Sequence, residues 1–385
     1  MRRPRPTPTR PLPPSGLASA YALTSNGALT PLGRELGEDY NDPRWSPLLD
    51  RLGQSEMERF VLHGYSNSGA LEGVSKPRTK DLDGSSQAAS FNQLRYGTGF
   101  PSPTVLAQTW DTQLARRYGR AVGMECAMLG IDGWYAPACN LHRSPVGGRN
   151  YEYYSEDPLV SGEMAAQTIL GSKETGTFCY LKHMVLNEQD SYRDSLYTWL
   201  TEQSLRELYL EPFRIAVEEG GATGMMSSYN RIGAIWTGGS RALLTEVLRG
   251  EWGFRGSVIT DYSDHHSYMN ADEMLRAGGS LYMDGVFRDG SFRFGTDSPN
   301  FRACLRRATK DVIYAWLNAR AANLAYNDAA LQAGTATIDR PLKHRGVSPV
   351  LVGISVVDAV AALCVAVKAH RVLRRRARKK GHAGE

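Results

Sequence analysis

Four short apolar runs in this chain each stop at polar residues suited to binding or cleaving a sugar, and their spacing constrains the fold more than any other feature. The fourth run, Ser257-Val-Ile-Thr260, stops at Asp261; the others end at Asn140-Leu-His-Arg143, at Lys182-His183 and at Tyr229-Asn230. The stretches between them are long enough for a helix and its loops, which is the pattern of a parallel β/α array. In a (β/α)8 barrel the strand C-termini converge on one face, and the chemistry sits there. Asp261 is therefore a candidate catalytic carboxylate, although an Asp after a strand also serves as a helix cap or turn former.

With 385 residues the chain has room for one barrel of roughly 250 to 300 residues plus appendages. The intervening segments fit that architecture. Residues 109–125 have helical apolar spacing with Asp111 near the start, where an acid favours the helix dipole, and 201–217 and 241–248 behave likewise. Ser240 is a plausible N-cap, with Gly250 and Gly253 breaking the pattern. Residues 272–277 followed by Gly278-Gly-Ser-Leu-Tyr-Met283 predict one more helix-to-strand unit, and 287–300 reads as a long surface loop.

The net charge of +5 is a property of the ends. Eight Lys and Arg residues fall between 368 and 380, and Arg2, Arg3, Arg5 and Arg10 add four more. The body between them carries about −6, which provides no footprint for a nucleic-acid backbone. Cys126, Cys139, Cys179, Cys304 and Cys364 show no C-x-x-C pair and no metal-ligand spacing with histidine, so they read as free thiols, and neither a metal nor a cofactor is expected.

Residues 1–15 are rich in Arg and Pro, lack the apolar core of a secretory signal and read as a disordered leader. At the other end, 347–367 is a run of mostly Val, Ala, Leu and Ile followed at once by basic residues, the pattern of a membrane span stopped by cytoplasmic positive charge. Its length as a helix is about 31 Å, at 1.5 Å per residue, which matches a bilayer core. Asp358 within it costs about 2.5 to 3.5 kcal/mol on insertion scales; the alternative is a buried or interfacial helix. The expected arrangement is a single-pass protein of the cell membrane with its body on the outer side. As no signal precedes that body, either the segment inserts as a tail anchor or the chain is the downstream part of a longer product.

The polar residues have both chemical and structural readings. Retaining glycoside hydrolysis uses one carboxylate to attack the anomeric carbon and a second to protonate the leaving oxygen, about 5 Å away. Asp261, at a strand end beside Tyr262, suits the first role. Lys182 and His183 would donate to sugar hydroxyls, and Arg149 offers a planar fork to vicinal oxygens. The structural alternative for Arg149 is a salt bridge to Glu152, Glu156 or Asp157.

In their order these segments resemble glycoside hydrolase family 3, the family of many β-glucosidases. The blocks run from Asp81-Leu-Asp-Gly84 through Phe100-Pro101, Thr109-Trp-Asp111, Ala136-Pro137 and Arg143 to Gly148-Arg-Asn-Tyr-Glu-Tyr-Tyr-Ser-Glu-Asp-Pro158. They continue through Lys182-His183, Arg206-Glu-Leu-Tyr-Leu-Glu-Pro-Phe213, Met226-Ser-Ser-Tyr-Asn230 and Leu243 to Gly256, and end at Val258-Ile-Thr-Asp-Tyr262. The resemblance covers about 45 to 325 and implies a (β/α)8-like barrel in which Asp261 is the nucleophile. It also implies that Asp83, Arg149, Lys182 and His183 hold the sugar, with Met226 and Tyr229 beside the nucleophile. Ser85 and Tyr262 replace the family's usual Pro and Trp. Residues 184–195 lack the Gly-Asp-Thr motif of the branch that carries its acid/base on a barrel loop, so the chain resembles the β-glucosidase branch. There the acid/base is a Glu of a separate α/β sandwich domain, which in some members precedes the barrel. Neither Glu156 nor Glu188 is supported in that role by spacing.

The expected organisation is an irregular leader over 1–40, a barrel over 41–325, a linker over 326–346, a transmembrane helix over 347–367 and a basic cytoplasmic tail over 368–385. The leading function is a retaining β-glucosidase-like glycosidase acting through a glycosyl-enzyme on Asp261. Its partners would be a carbohydrate substrate, the membrane and an upstream or separate sandwich domain. The alternatives are a membrane-tethered sugar-binding remnant that does not turn over, and Schiff-base chemistry at Lys182.

Overall fold

The computed structural model describes residues 20–89, 97–263, 268–284, 294, 297–332 and 368. Chain contacts divide the protein into Met1–Ile338 and Asp339–Glu385. The expected span, 347–367, lies outside the described residues, and among those that are described no helix is long and apolar enough to cross a membrane. Cys126, Cys139 and Cys179 are buried free thiols, as the sequence suggests, and Cys304 is a partly exposed one.

The apolar runs form the strands of one parallel sheet: β1 (Asp81–Leu82), β2 (Gly133–Trp134), β3 (Phe178–Met184), β4 (Gly224–Ser227) and β5 (Ser257–Ile259), hydrogen-bonded in chain order. Leu281 adds a sixth parallel segment through a bridge to Ile259. Side chains along a strand alternate between faces. Cys179 and Leu181 of β3, Met225 and Val258 belong to the core shared with the surrounding helices, whereas Phe178, Tyr180, Met226 and Ile259 pack in a second one with Tyr135.

The strip 64–68 joins the two edges. Gly64 donates to the Tyr282 carbonyl (2.9 Å), and on the other side Asp81 and Thr79 donate to Ser66 and Ser68 (2.9 and 3.0 Å), an antiparallel approach. The expected array was parallel and eightfold; among the described residues there are six parallel segments and one antiparallel strip. Its direction follows from chain length. A parallel return needs a crossover of a dozen or more residues, and the segment between Ser68 and Thr79 holds only a turn and the short 3-10 helix Glu72–Val74.

Two boundaries differ from expectation. Of the stretch 1–40, expected as a disordered or irregular leader, the described part carries regular structure: Thr24–Ser25 pairs with Ala28–Leu29 around Asn26 and Gly27, both at positive φ (51° and 80°), the geometry of a two-residue hairpin turn. Helix α1 (Pro31–Glu38) follows, its first turn capped by the Thr30 hydroxyl accepting from Gly33. Leu23 and Leu36 are fully buried, so burial of apolar surface holds this segment down. A long helix runs Pro299–Gln332, so the first residues of the expected linker continue it, and 299–300 of the expected loop begin it.

The four stretches expected as helices are helical, and 158–173 adds one that was not expected. Helix α2 (Thr112–Leu129) begins where the Asp111 side chain accepts from Leu114, and α3 (Pro158–Lys173) where Asp157 accepts from Leu159 and Val160. These two helices cross closely at small residues. A Cβ on Gly119 would lie 2.0 Å from the Thr168 carbonyl oxygen, and one on Gly171 2.0 Å from that of Arg116. Because both obstacles are backbone, Gly119→Ala is expected to destabilise the protein by about 1 to 3 kcal/mol, read as a lowered urea midpoint. An unchanged midpoint would show that the helices separate freely. The later stretch 201–217 contains a π-helical run, Leu205–Tyr209, followed by the α-helix Glu211–Glu218. The helix expected over 241–248 is a π-helical run, Ala242–Glu251, with Ser240 accepting from Leu243 as foreseen. Residues Ala271–Ala277 form α4, capped by Asn270 and ended by Gly278.

Candidate active site

The residues expected to hold the sugar or flank the nucleophile lie at or just past the C-terminal ends of these strands, apart from Arg149, which is on the loop between β2 and α3. β1 delivers Asp83, β3 Lys182 and His183, β4 Met226 and Tyr229, and β5 Asp261. Lys182 Nζ donates to Asp83 Oδ1 at 2.7 Å and lies 3.8 Å from Glu152 Oε2. Burial alone would lower the Lys182 pKa, but Asp83 and Glu152 outweigh it and hold the ammonium above its ordinary range. Burial likewise opposes ionisation of Asp83, and the Lys182 charge and hydrogen bond overcome it, so this carboxyl is held below its usual range. A stably charged Lys182 is suited to donating hydrogen bonds and not to Schiff-base attack, which needs the neutral amine.

Arg149 bonds Glu152 through Nε, so its structural alternative is realised, while its charge still acts on Asp261. Asn140 clamps the next strand end: its Oδ1 accepts from the His183 N–H (2.8 Å) and its Nδ2 donates to the His183 carbonyl (3.0 Å). The His183 ring is buried, and burial followed by Arg149, Lys182 and Arg193 pushes its pKa well below the usual value, so it stays neutral at neutral pH. Its Nε2 is 3.7 Å from Asp261 Oδ2.

Asp261 itself is 9% exposed. Its Oδ1 accepts from the Tyr262 N–H at 2.8 Å, and its Oδ2 is buried with no hydrogen-bond partner among the described residues. Burial raises its pKa, opposed by the Arg193 and Arg149 charges. An unpaired buried acceptor costs stability, and such departures from good packing concentrate where chemistry needs them.

Two residues that sequence reasoning did not single out as sugar contacts belong to this constellation. Arg193 lies with its guanidinium 4.1 Å from the centre of the Tyr229 ring, and its charge opposes the burial-driven rise at Asp261. Glu152 joins Arg149 to Lys182. For Glu152 the signal was its place in the matched block; for Arg193 an isolated Arg on a polar loop gave none. Glu188 is buried and pushed up to about 7 by burial, but the groups bonded to it are Asn140 and Leu141, each at 3.4 Å, and not Asp261. A cavity of about 1190 Å³ opens beside the site rather than in it, lined in part by Tyr65, Arg78 and Asp284; the Tyr65 ring meets that of Tyr262 at 5.7 Å.

Strand-end carboxylates gathered with a charged Lys and Arg at one end of a parallel sheet define a candidate active site of an α/β protein. The family model described as the Glycosyl hydrolase family 3 N terminal domain matches residues 87–283, about half of the chain, and the protein belongs to that family. Among curated proteins it is 37% identical over 217 residues to Beta-glucosidase B of Emericella nidulans, covering 56% of this chain and 25% of that one. It is 39% identical over 223 residues to a Beta-glucosidase of Rhizobium radiobacter, covering 57% and 27%. The structure of beta-glucosidase 3B from Thermotoga neapolitana in complex with alpha-D-glucose aligns at a TM-score of 0.64 and 28% identity, over 76% of this chain and 46% of that one. The matched region is thus about a quarter of the length of these curated relatives.

Proposed function

We propose that this chain is the nucleophile-bearing barrel of a retaining β-glucosidase. The observation that carries the reading is Asp261: a strand-end carboxyl with one oxygen fixed by the Tyr262 N–H and the other without a hydrogen-bond partner among the described residues, under the charges of Arg149 and Arg193. In the first step the free oxygen attacks the anomeric carbon, the C1–O bond breaks, and its electron pair leaves with the aglycone. Asp83, Lys182 and Arg149 hold hydroxyls, and the neutral His183 presents a donor without adding charge next to the nucleophile.

The proton for an ordinary leaving group has to come from a second carboxyl. Among the described acids of the site, Asp83 and Glu152 are engaged with Lys182 and Arg149, and Glu188 with Asn140. That supports placing the acid/base on a separate α/β sandwich domain, and it also favours a second reading, in which this chain alone binds sugar without turnover. Hydrolysis of cellobiose by the chain alone would contradict both. Membrane attachment through 347–367 is part of the proposal and rests on the sequence; co-sedimentation with vesicles that is lost when 347–385 is deleted would support it, and unchanged sedimentation would oppose it.

The proposal is tested with 2,4-dinitrophenyl 2-deoxy-2-fluoro-β-glucoside, whose leaving group needs no protonation. One fluoroglucosyl adduct per chain is expected by intact mass, and no adduct contradicts the reading. Labelling requires ionised Asp261, whose pKa is raised, so the rate is expected to fall as pH drops through a midpoint above the usual carboxylate value of about 4. Arg193→Gln removes an opposing cation and should move that midpoint further up. A midpoint at or below about 4, unmoved by the substitution, would contradict the assignment.

A further inference from the structure

Beside the pocket a small sheet carries a row of aromatic side chains that the sugar-binding residues leave unexplained. It consists of Tyr197–Thr198, Arg231–Ile232 and Ile235–Trp236, with Tyr197, Arg231 and Trp236 in register across the three strands. Directly opposed residues share a face, which groups Tyr197, Arg231 and Trp236, and Trp199 follows just past the end of the first strand. The Trp199 ring covers Gly233 at the turn, within 3.4 to 3.8 Å of where a Cβ would stand.

This face is continuous with the wall of the site. Tyr268 donates its hydroxyl to the Tyr229 carbonyl (2.6 Å), its ring lies 6.4 Å from that of Trp236, and the Asp261 charge acts on it. The Arg231 guanidinium stands between the Tyr268 and Tyr197 rings, 4.4 and 4.8 Å from their centres, and Nη1 donates to the Asp194 carbonyl (2.8 Å). Exposure grows along the row, from 4% at Trp236 to 51% at Tyr197 and 77% at Trp199. The exposed aliphatic of this sheet, Ile235, stands opposite Ile232 in the alternate register row and so belongs to the other face.

We propose that Tyr197, Trp199 and Arg231 form the platform for the leaving-group side of the substrate, an aryl aglycone or a second glucosyl unit. Flat rings at graded depth take the apolar face of a sugar or aryl ring, and the guanidinium between them supplies planar donors to its oxygens. The alternative occupant, another protein segment packed on this face, is an outcome of the test. The inference rests on the glycosidase reading and refines it.

Isothermal titration of the full chain with phenyl 1-thio-β-glucoside and with glucose tests it. The parent should prefer the aryl thioglucoside. Trp199→Ala is expected to cut that preference about five- to tenfold while leaving glucose affinity unchanged, and Trp199→Phe to retain most of it. A preference identical in parent and Trp199→Ala overturns the platform and assigns the face to protein contact. A parent that binds neither ligand overturns the inference together with the reading beneath it. If the parent shows the Trp199-dependent preference yet never becomes labelled by the fluoroglucoside, the platform stands and only the nucleophile reading fails.

Discussion

Asp261→Ala is expected to lower the rate of labelling by dinitrophenyl 2-deoxy-2-fluoro-β-glucoside by about 10⁴-fold or more, the scale on which removal of a covalent nucleophile acts. The size of the effect follows from the site. No second carboxylate among the described residues shares the position of the Asp261 Oδ2: Asp83 is drawn to Lys182 at 2.7 Å and Glu152 to Arg149. The fold should survive the change, because among the described residues the lost side chain makes one hydrogen bond, from the neighbouring Tyr262 N–H, and its other oxygen has no partner. A urea midpoint matching the parent, with labelling gone, is the expected pair of results. Labelling at the parent's rate would remove Asp261 from the mechanism.

The second large effect is on stability. Asp311 is fully buried in the long C-terminal helix and accepts from Tyr40 Oη (2.5 Å), Ser280 Oγ (3.0 Å), Arg307 Nη1 and Arg249 Nη2 (both 2.9 Å). One carboxylate thus ties the N-terminal segment, the strand end at 280 and two arginines to the last helix. Arg249 is itself nearly buried and also bonds the Gly278 carbonyl, at 2.9 Å from Nη2. Asp311→Ala strands these cations, and breaking a buried charge cluster by removing one partner costs about 3 to 5 kcal/mol. A drop in urea midpoint of about 1 M or more is expected for a protein of this size. A midpoint within about 0.3 M of the parent would mean that water or rearrangement compensates the arginines.

How far the sequence was legible depended on the range of the interaction. The strand ends could be read because apolar runs and the polar residue that stops them are adjacent in the chain, and Asp261, Lys182 and His183 are placed where those runs predict. The caps Asp111, Ser240 and the stop at Gly278 are local for the same reason. The strip 64–68 was not legible: Gly-Tyr-Ser-Asn-Ser has no alternating apolar pattern, and its pairing with β1 and Tyr282 depends on the closing of a ring. The hairpin at Asn26-Gly27 carried a recognisable turn signal, but the Arg- and Pro-rich stretch before it drew the whole segment into the leader. Arg193 gains its meaning from Tyr229, far along the chain, and only the folded molecule brings the two together.

The central claim is that the sugar is transferred to one particular oxygen. Protease digestion of the fluoroglucoside-labelled protein and sequencing of the modified peptide by mass spectrometry test it directly. The account predicts a single fluoroglucosyl ester on the Asp261 side chain, in the peptide containing Val258-Ile-Thr-Asp-Tyr262, and its absence after Asp261→Ala. An adduct on Asp83, Glu152 or Glu188, or one that persists in the variant, would contradict it.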